Sequence, residues 1–426
     1  MKNVPNLRFK EFSDEWKQHA LGDIFDFYTT NSFSRDFLDN DKGRVKNIHY
    51  GDIHMKFPTL LDVKNTQIPY VKEAVDLSKI SIESYCKNGD VVIADASEDY
   101  NDIGKAIELK SIGEEKIIAG LHTILARDNK GIMVNGFKGY LMNSPSVRKQ
   151  IKVYAAGAKV LGISKANISK VKLLIPSGME QEKIATFFSL IDKKIELQTE
   201  KVEELKNYKK GLLQKIFSQE LRFKDENGKK YPEWEEKTLQ QIGFTYAGLS
   251  GKTKEDFGFG NGSFVTYINV FRNTLAKRMI EQVNISEQEN QNPVLKGDLL
   301  FTTSSETPNE VGMVSCWDYE IKNLYLNSFC FGYRIYNHNS YSPIFLAYML
   351  RSGEYRKKIS ILAQGSTRYN ISKTELMKMK VQCPCMEEQQ KIVALLLNLE
   401  LKTEEEQNKL NELLQYKKGL LQQMFI

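Results

Sequence analysis

The seven residues Tyr208-Lys-Lys-Gly-Leu-Leu-Gln214 occur a second time as Tyr416-Lys-Lys-Gly-Leu-Leu-Gln422, at a shift of 208 positions in a chain of 426 residues. Aligned without gaps at that shift, 17 of the 38 residues in 180–217 are identical to those in 388–425. Chance would give roughly two or three identities. The chain is therefore an internal duplication.

The same shift aligns Gly157 with Gly365 and Pro176 with Pro384, whereas Trp16 matches Trp234 only at a shift of 218. Each copy thus has a variable front part and a more constant rear part. Variable loops on a shared scaffold suit recognition, and a repeated helix suits a fixed mechanical or docking role. We predict recognition domains at 1–165 and 219–376, and helical spacers at 166–218 and 377–426.

Apolar residues at alternating spacings of three and four predict a coiled-coil seam in each rear part. Polar residues interrupt both seams at equivalent positions, Gln198 with Glu406 and Lys209 with Lys417. Helices of about 35 residues extend about 50 Å, which is too long for one small domain to cover. We therefore predict that the two helices pack antiparallel with pseudo-two-fold symmetry. Their length is on the scale of one turn of DNA, so they would act as a ruler that sets the distance between the two recognition domains. The residues predicted for the seam and for partner docking are Ile191, Ile195, Val202, Leu205 and Leu212 in the first copy and Leu399, Leu410, Leu413 and Leu420 in the second.

Short β-branched or aromatic segments bounded by Gly, Asn or Pro predict strands at 90–94, 171–175, 264–269, 298–302 and 379–383. Helices are predicted at 140–154 and 345–363. The predicted fold class is α/β in the mixed α+β sense, with two recognition domains separated by the long helices.

Lys and Arg number 60 and Asp and Glu 54, so the formal net charge of +6 is compatible with a polyanionic partner. No run of about 18 uncharged apolar residues occurs, and the first residues are polar and charged. We expect a cytoplasmic protein without membrane contact. The five cysteines, an odd and scattered set, are expected to be reduced thiols.

Exposed loops that carry cations, amides and aromatic rings are the usual readers of nucleic acid. Three pairs of segments have this composition, around 42–50 and 267–273, after the two Gly-Asp strands, and around Gly157 and Gly365. For the first pair, the alternative explanation is a solvated turn beside a strand. In the second pair, a glycine ends each loop, Gly104 or Gly312, and either a close approach to phosphate or an ordinary tight turn would explain it. The candidate DNA-binding residues are Lys42, Arg44, Lys46, Asn47, His49, Tyr50, Ser97, Lys105 and Lys159 in the first copy and Tyr267, Asn269, Arg272, Asn273, Ser305, Arg368 and Tyr369 in the second.

The sequence has no phosphate-loop motif, no Asn-Pro-Pro-Tyr or Asp-Pro-Pro-Tyr signature and no His-Glu-x-x-His. Cys383 and Cys385 form the one close cysteine pair, but the other copy has Ile175 and Ser177 there, which argues against zinc. We expect no catalytic residues, no metal and no cofactor bound by this chain.

The motif Pro176-x-x-x-Glu180-Gln-x-Lys-Ile184 followed by 208–217, and its repeat from Pro384 and Tyr416, resembles the conserved regions of specificity subunits of type I restriction-modification systems. The resemblance covers the whole chain. It implies a non-catalytic subunit whose two target-recognition domains read a split, asymmetric double-stranded DNA target. It also implies two modification subunits that methylate adenine with S-adenosylmethionine and two restriction subunits driven by ATP with Mg, and DNA-mimic anti-restriction proteins as a further partner class.

Two departures from the family pattern stand out: Ser177-Gly178 and Cys385-Met386 replace the usual second proline, and Asp192 becomes Glu400 in the second copy. The competing hypotheses are a coiled-coil protein scaffold that never contacts nucleic acid, a self-sufficient nuclease or methyltransferase, and an RNA-binding protein.

Overall fold

The computed structural model describes residues 3–426, which form two compact units. The first unit contains the chain up to Glu200 together with Gln407–Ile426, and the second is Lys201–Glu406. Each of two long helices therefore contributes one part to each unit.

The first unit is rich in short strands. Its strands are β1 (Lys17–Ala20), β2 (Asp26–Tyr28), β3 (Leu38–Asp39), β4 (Lys46–Ile48), β5 (Leu60–Asp62), β6 (Tyr70–Val71), β7 (Val91–Ala94), β8 (Ala96–Ser97), β9 (Ala106–Lys110), β10 (Ile117–Ala119), β11 (Thr123–Arg127), β12 (Leu161–Gly162) and β13 (Lys172–Ile175). Its helices are α1 (Leu21–Ile24), α2 (Tyr50–Met55), α3 (Lys138–Met142), α4 (Pro145–Tyr154), α5 (Lys165–Ile168) and the first part of α6 (Gly178–Phe217).

Two main sheets build this unit. A five-stranded sheet has the order β2-β11-β7-β9-β5, and a four-stranded sheet has the order β10-β4-β6-β3. The pairs β1-β13 and β8-β12 are separate two-stranded sheets. Strand β7 is buried at all four residues, as expected for a central strand whose two faces are both covered.

The second unit repeats most of these elements. Its strands are β14 (Glu235–Thr238), β15 (Gly243–Ala247), β16 (Phe257–Val265), β17 (Ile280–Val283), β18 (Leu299–Thr302), β19 (Ser304–Ser305), β20 (Val314–Cys316), β21 (Leu324–Leu326), β22 (Cys330–Ile335), β23 (Ala363–Gln364), β24 (Tyr369–Ile371) and β25 (Lys380–Cys383). Its helices are the end of α6, α7 (Leu239–Ile242), α8 (Tyr267–Arg272), α9 (Pro343–Arg351), α10 (Gly353–Ile361), α11 (Lys373–Lys378) and the first part of α12 (Met386–Met424).

The sheet order β15-β22-β18-β20 of the second unit matches β2-β11-β7-β9 of the first, and the pair β14-β25 matches β1-β13. The parallel pair β16-β21 likewise corresponds to β4-β10. The first unit alone adds β5 to the edge of the main sheet. The mixed α/β fold class and the structural duplication are thus confirmed.

A buried glutamate anchors the start of each long helix. Glu180 accepts hydrogen bonds from Arg8 at 2.7 and 2.8 Å and from the Trp16 indole at 3.4 Å. In the second unit, Glu388 accepts them from Arg222 at 2.9 Å and from the Trp234 indole at 3.2 Å. A buried carboxylate requires this pairing, because a lost partner leaves a charge without compensation at a cost of about 3–5 kcal/mol.

The glutamine that follows ties each helix start to its own domain. Gln181 donates to the Pro176 carbonyl at 3.0 Å and accepts from the Val134 amide at 2.8 Å. Gln389 makes the same two contacts with Pro384 and Ser342 at 2.8 Å each. The repeated Glu-Gln pair thus has a structural explanation.

The end of each long helix packs on the helix start of the other copy. In the first unit, Leu420 and Met424 of α12 and Phe425 directly after it join the core that contains Ile184 and Phe188 of α6. The predicted antiparallel pairing is confirmed here, because a helix start contacts a helix end.

The second unit has the same arrangement with the roles of the helices exchanged. Leu212 and Ile216 at the end of α6 join the core that contains Ile392 and Leu396 at the start of α12. The pairing is therefore antiparallel in this unit as well.

The polar interruptions of the seam form matching ionic contacts. In the first unit, Lys417 pairs with Asp192, which also accepts a hydrogen bond from the Tyr140 hydroxyl at 2.7 Å. Burial and the Asp192 carboxylate raise the pKa of Tyr140, which therefore remains a neutral donor.

The second unit repeats this network with a glutamate in place of the aspartate. Lys209 pairs with Glu400 at 3.0 Å, and the Tyr348 hydroxyl donates to the same carboxylate. The departure at 192 and 400 therefore keeps the charge and its partners.

The seam residues predicted from sequence are all buried or half-buried, as side chains in a helix seam must be. Three predicted elements were wrong in detail. The strand at 264–269 ends at Val265, because Thr266 accepts a hydrogen bond from the Asn269 amide at 3.3 Å and starts α8. The helices at 140–154 and 345–363 are each broken in two, at Ser144 and Ser352, which precede new helix starts.

We predict that Phe425→Ala destabilises the first unit by about 3–5 kcal/mol, because it empties a core site next to the rings of Trp16, Phe137 and Phe188. Amide hydrogen exchange should show faster exchange in residues 3–200. Leu414→Ala on α12, where the side chain is 46% exposed, is the control and should change stability by less than about 0.5 kcal/mol. Equal effects of the two substitutions would contradict the prediction.

Candidate nucleic-acid interface

The segment 42–50 divides into an exposed half and a buried half. Lys42 and Arg44 are exposed, whereas Lys46 and Asn47 lie in β4 and are buried. The Lys46 ammonium pairs with Glu115 at 3.0 Å, and the Asn47 amide oxygen accepts a hydrogen bond from a second asparagine at 3.1 Å. Lys46 and Asn47 thus have structural partners, and only the exposed pair is available for phosphate contact.

His49 and Tyr50 start helix α2. The His49 ring is 6% exposed and its Nδ1 accepts a hydrogen bond from the Gly51 amide at 3.2 Å. Burial, with a smaller effect of Arg35, lowers the pKa of His49, which suits its role as a neutral helix cap. Tyr50 is half-buried, and its ring lies 5.2 Å from that of His122.

The corresponding segment of the second unit is helix α8. Asn269 is buried. Its side-chain amide donates to the Lys277 carbonyl at 2.7 Å and accepts from the Lys277 amide at 2.9 Å, and Asn273 donates to the carbonyl of Asn269. Tyr267 donates to the Ser304 carbonyl at 2.6 Å. Arg272 is exposed, and its guanidinium makes no hydrogen bond or ion pair with residues 3–426.

The loops after the two Gly-Asp strands start with Ser97-Glu98 and Ser305-Glu306 and are called the Ser-Glu loops here. Their serines are buried at matching strand positions. Ser97 in β8 pairs with Leu161 in β12, and Ser305 in β19 pairs with Tyr369 in β24. Their hydroxyls bond their own loops: Ser97 accepts from the Asp99 amide at 3.0 Å. Both serines therefore shape the loops from within.

Gly104 and Gly312 end these loops with φ of 69° and 62°, in the left-handed region that favours glycine. A Cβ at Gly104 would lie 2.4 Å from Ile151, and one at Gly312 would lie 2.7 Å from Ile371. Close packing inside each unit thus accounts for the two glycines that the sequence left open between a tight turn and a phosphate contact.

The third pair of segments is the most exposed. Lys159 and Arg368 lie on loops that turn at Gly157 and Gly365, and both cations are exposed. The Arg368 guanidinium lies 5.3 Å from the centre of the Phe329 ring. Lys105, by contrast, is half-buried and donates to the His54 carbonyl at 2.7 Å, and burial lowers its pKa.

Two of the predicted segments meet in the first unit, next to the turn that holds His122. The His54 ring in α2 bonds the Ala96 carbonyl at 3.0 Å, which joins the helix to the Ser-Glu loop. Asp95, immediately before, lies 3.5 Å from His122. The surface around Tyr50 thus combines imidazole, carboxylate and phenol groups.

Equivalent segments meet in the second unit. Tyr267 bonds the carbonyl of Ser304, which is the position equivalent to Ala96, and Arg368 covers Phe329 beside it. Here the surface combines a guanidinium with aromatic rings. The two surfaces therefore share their place in the fold and differ in chemistry.

Sequence reasoning missed His122 and Phe329. His122 lies in the turn directly before β11, and Phe329 lies in the turn directly before the equivalent strand β22. Both residues are exposed. They match at a shift of 207, one less than the shift of the repeat. The equivalent arginines Arg127 and Arg334 match at the same shift, and they are the signal that could have revealed the change in register.

Exposed cations at Lys42, Arg44, Lys159, Arg272 and Arg368 can neutralise phosphates, and the surrounding amides and rings can contact bases. Among residues 3–426, no His, Cys, Asp and Glu side chains form a group of three or more that could hold a metal ion. Within the same residues no helix is long and apolar enough to cross a membrane.

Residues 13–207 and 231–415 each match the family model of the type I restriction modification DNA specificity domain. The chain is similar in structure to the S subunit of a type I restriction-modification system from M. genitalium, with 13% identity, coverage of 99% of both chains and a TM-score of 0.55. A chain from work on complex assembly and conformational transition of the type I R-M system has 15% identity, coverage of 95% of this chain and 96% of that chain, and a TM-score of 0.56. At these identities the likenesses show a shared fold.

We predict that Arg272→Ala weakens binding to a mixed-sequence DNA duplex and lowers the slope of log affinity against log salt by about one, because one phosphate contact is lost. The measurement is a salt titration by fluorescence anisotropy. Asn269→Ala in the same helix should instead lower stability by about 1–3 kcal/mol, because it leaves buried backbone groups unpaired. An unchanged salt slope in the arginine variant would count against the phosphate contact.

Proposed function

The chain belongs to the family of type I restriction-modification DNA specificity domains, and from that membership we propose that it is the DNA-binding specificity subunit of such a complex. It reads a bipartite, asymmetric target in double-stranded DNA. The recognition domains are residues 1–165 and 219–376, and each reads one half of the target.

One observation carries this proposal: the two units share a framework and differ on the surface where their loops meet. Glu180 and Glu388 have the same partners, whereas His122 and Phe329 occupy equivalent exposed positions with different chemistry. A scaffold protein has no need of this combination. Two readers of different half-sites on one common support require it.

The subunit recruits modification and restriction subunits and has no catalytic residues of its own. S-adenosylmethionine, ATP and Mg bind to those partner subunits and not to this chain. The complete complex contains two modification subunits and two restriction subunits, and it acts in the cytoplasm. DNA-mimic anti-restriction proteins would compete with DNA for the DNA-binding surface of this subunit.

We propose that partners dock on the outward faces of α6 and α12, since the seam residues predicted for docking are buried or half-buried within the chain. Tyr208 and Tyr416 begin the two copies of the repeated motif and are 59% and 57% exposed. Exposed aromatic residues are typical anchors of protein interfaces. Their equivalent positions suit two copies of one modification subunit.

We predict that replacing residues 219–376 with the equivalent segment of a relative changes one half of the methylated target and leaves the other half and the spacer unchanged. The segment excludes both long helices, which keep their packing. Sequencing of methylated genomic sites in a host that expresses the whole complex gives the result. An unchanged target, or a change in both halves, would contradict the assignment of one reader to each half.

We also predict that the helices set the length of the unspecified spacer. Seven residues inserted after Gln198 together with seven after Glu406 keep the seam register and lengthen each helix by about 10.5 Å, or about three base pairs of DNA. Methylated-site sequencing should show a longer spacer between unchanged halves. The same insertion in α6 alone shifts one seam against the other and should abolish methylation. An unaltered spacer in the variant with both insertions would refute the prediction that the helices set the spacer length.

A further inference from the structure

The turns that lead into β11 and β22 each place an exposed side chain at an equivalent position, His122 in the first and Phe329 in the second. The Asp95 amide donates to the His122 carbonyl at 3.0 Å, and the Thr303 amide donates to the Phe329 carbonyl at 2.9 Å. Positions 95 and 303 are related by the 208-residue shift of the repeat. Side-chain exposure is 52% for His122 and 53% for Phe329. The fold thus presents both side chains from the same place.

His122 has a φ of 53°, in the left-handed region where glycine is the favoured residue. The left-handed backbone conformation costs free energy. Because the side chain is exposed on a turn, it makes no core packing that would offset this cost. Strained positions of this kind concentrate at functional sites.

The His122 ring is oriented by two neighbours. Its Nδ1 lies 3.5 Å from the Asp95 carboxylate, and its ring meets the Tyr50 ring edge to face with centres 5.2 Å apart. The other nitrogen, Nε2, has no hydrogen-bond partner within residues 3–426. A held imidazole with one unused nitrogen is suited to a directional hydrogen bond with a base edge.

Phe329 has a different neighbour at the equivalent place. The Arg368 guanidinium lies 5.3 Å from the ring centre, and both groups are exposed. The arginine can neutralise a phosphate or contact a base while the ring offers an apolar surface. In the major groove the apolar feature of a base pair is the methyl group of thymine.

Resting on the proposed function, we infer that His122 and Phe329 are specificity-determining residues of the two half-sites. His122 reads one base pair of the first half-site through a hydrogen bond from its ring. Phe329 reads one base pair of the second half-site by contact with a thymine methyl group. The different chemistry at one shared position is a direct source of the asymmetry of the target.

The test exchanges the two side chains, His122→Phe in one variant and Phe329→His in another. The full chain, assembled with its modification subunit, selects from a random DNA duplex library, and the bound duplexes are sequenced. Each substitution should lower the discrimination at one base pair by at least about fivefold, because a specific base contact is lost. His122→Phe should affect one half-site, and Phe329→His the other, where the preference for thymine should disappear.

Two matched controls separate readout from a general effect of the substitution. His19→Phe changes the same residue type on strand β1 of the first unit, and Phe259→His changes a phenylalanine with the same 53% exposure on β16. Both should retain the wild-type target. His122→Gly removes the ring and relieves the left-handed backbone, so it should fold at least as well as the wild type and still lose the preference.

The inference is overturned if the wild-type chain selects a split target and the His122 and Phe329 variants, including His122→Gly, select the same target. It is also overturned if a substitution changes both half-sites. A wild-type complex that selects no sequence at all would overturn the proposed function, and the inference with it. The wild-type selection therefore distinguishes failure of the function from failure of the two assigned residues.

Discussion

Each unit of this protein is completed by the end of a helix that starts in the other copy of the repeat. Phe425 packs among aromatic rings of the first unit, and Phe217 packs on Trp234 and Phe345 of the second. The apolar area buried at these ends is the main favourable contribution to closing each core. The first unit consequently includes residues 407–426, so its core is complete only once this segment has been synthesised.

Polar contacts then fix the register that apolar packing leaves loose. A seam of Leu and Ile tolerates sliding by a heptad, but a lysine that must meet an acid does not. Lys417 reaches Asp192 and Lys209 reaches Glu400, each beside a tyrosine that donates to the same carboxylate. With Glu180 and Glu388 fixing the helix starts, the framework leaves the surface loops free to differ.

The sequence predicted this framework well, because the repeat keeps one shift wherever side chains are constrained by the helices. It predicted the interface less well. Lys46, Asn47 and Asn269 have the residue types of DNA readers, yet the fold buries them, because short strands and helix starts also need amides and paired cations. Burial depends on strand pairing between distant segments, which residue type alone does not reveal.

We propose that one chain carries two readers of different DNA. Footprinting of the assembled complex on a single methylated site tests it most directly, with protection measured at each base of both strands. We expect two short protected blocks of unrelated sequence, with the bases between them free of sequence-dependent protection. One continuous block of base contacts, or two blocks of identical sequence, would contradict it.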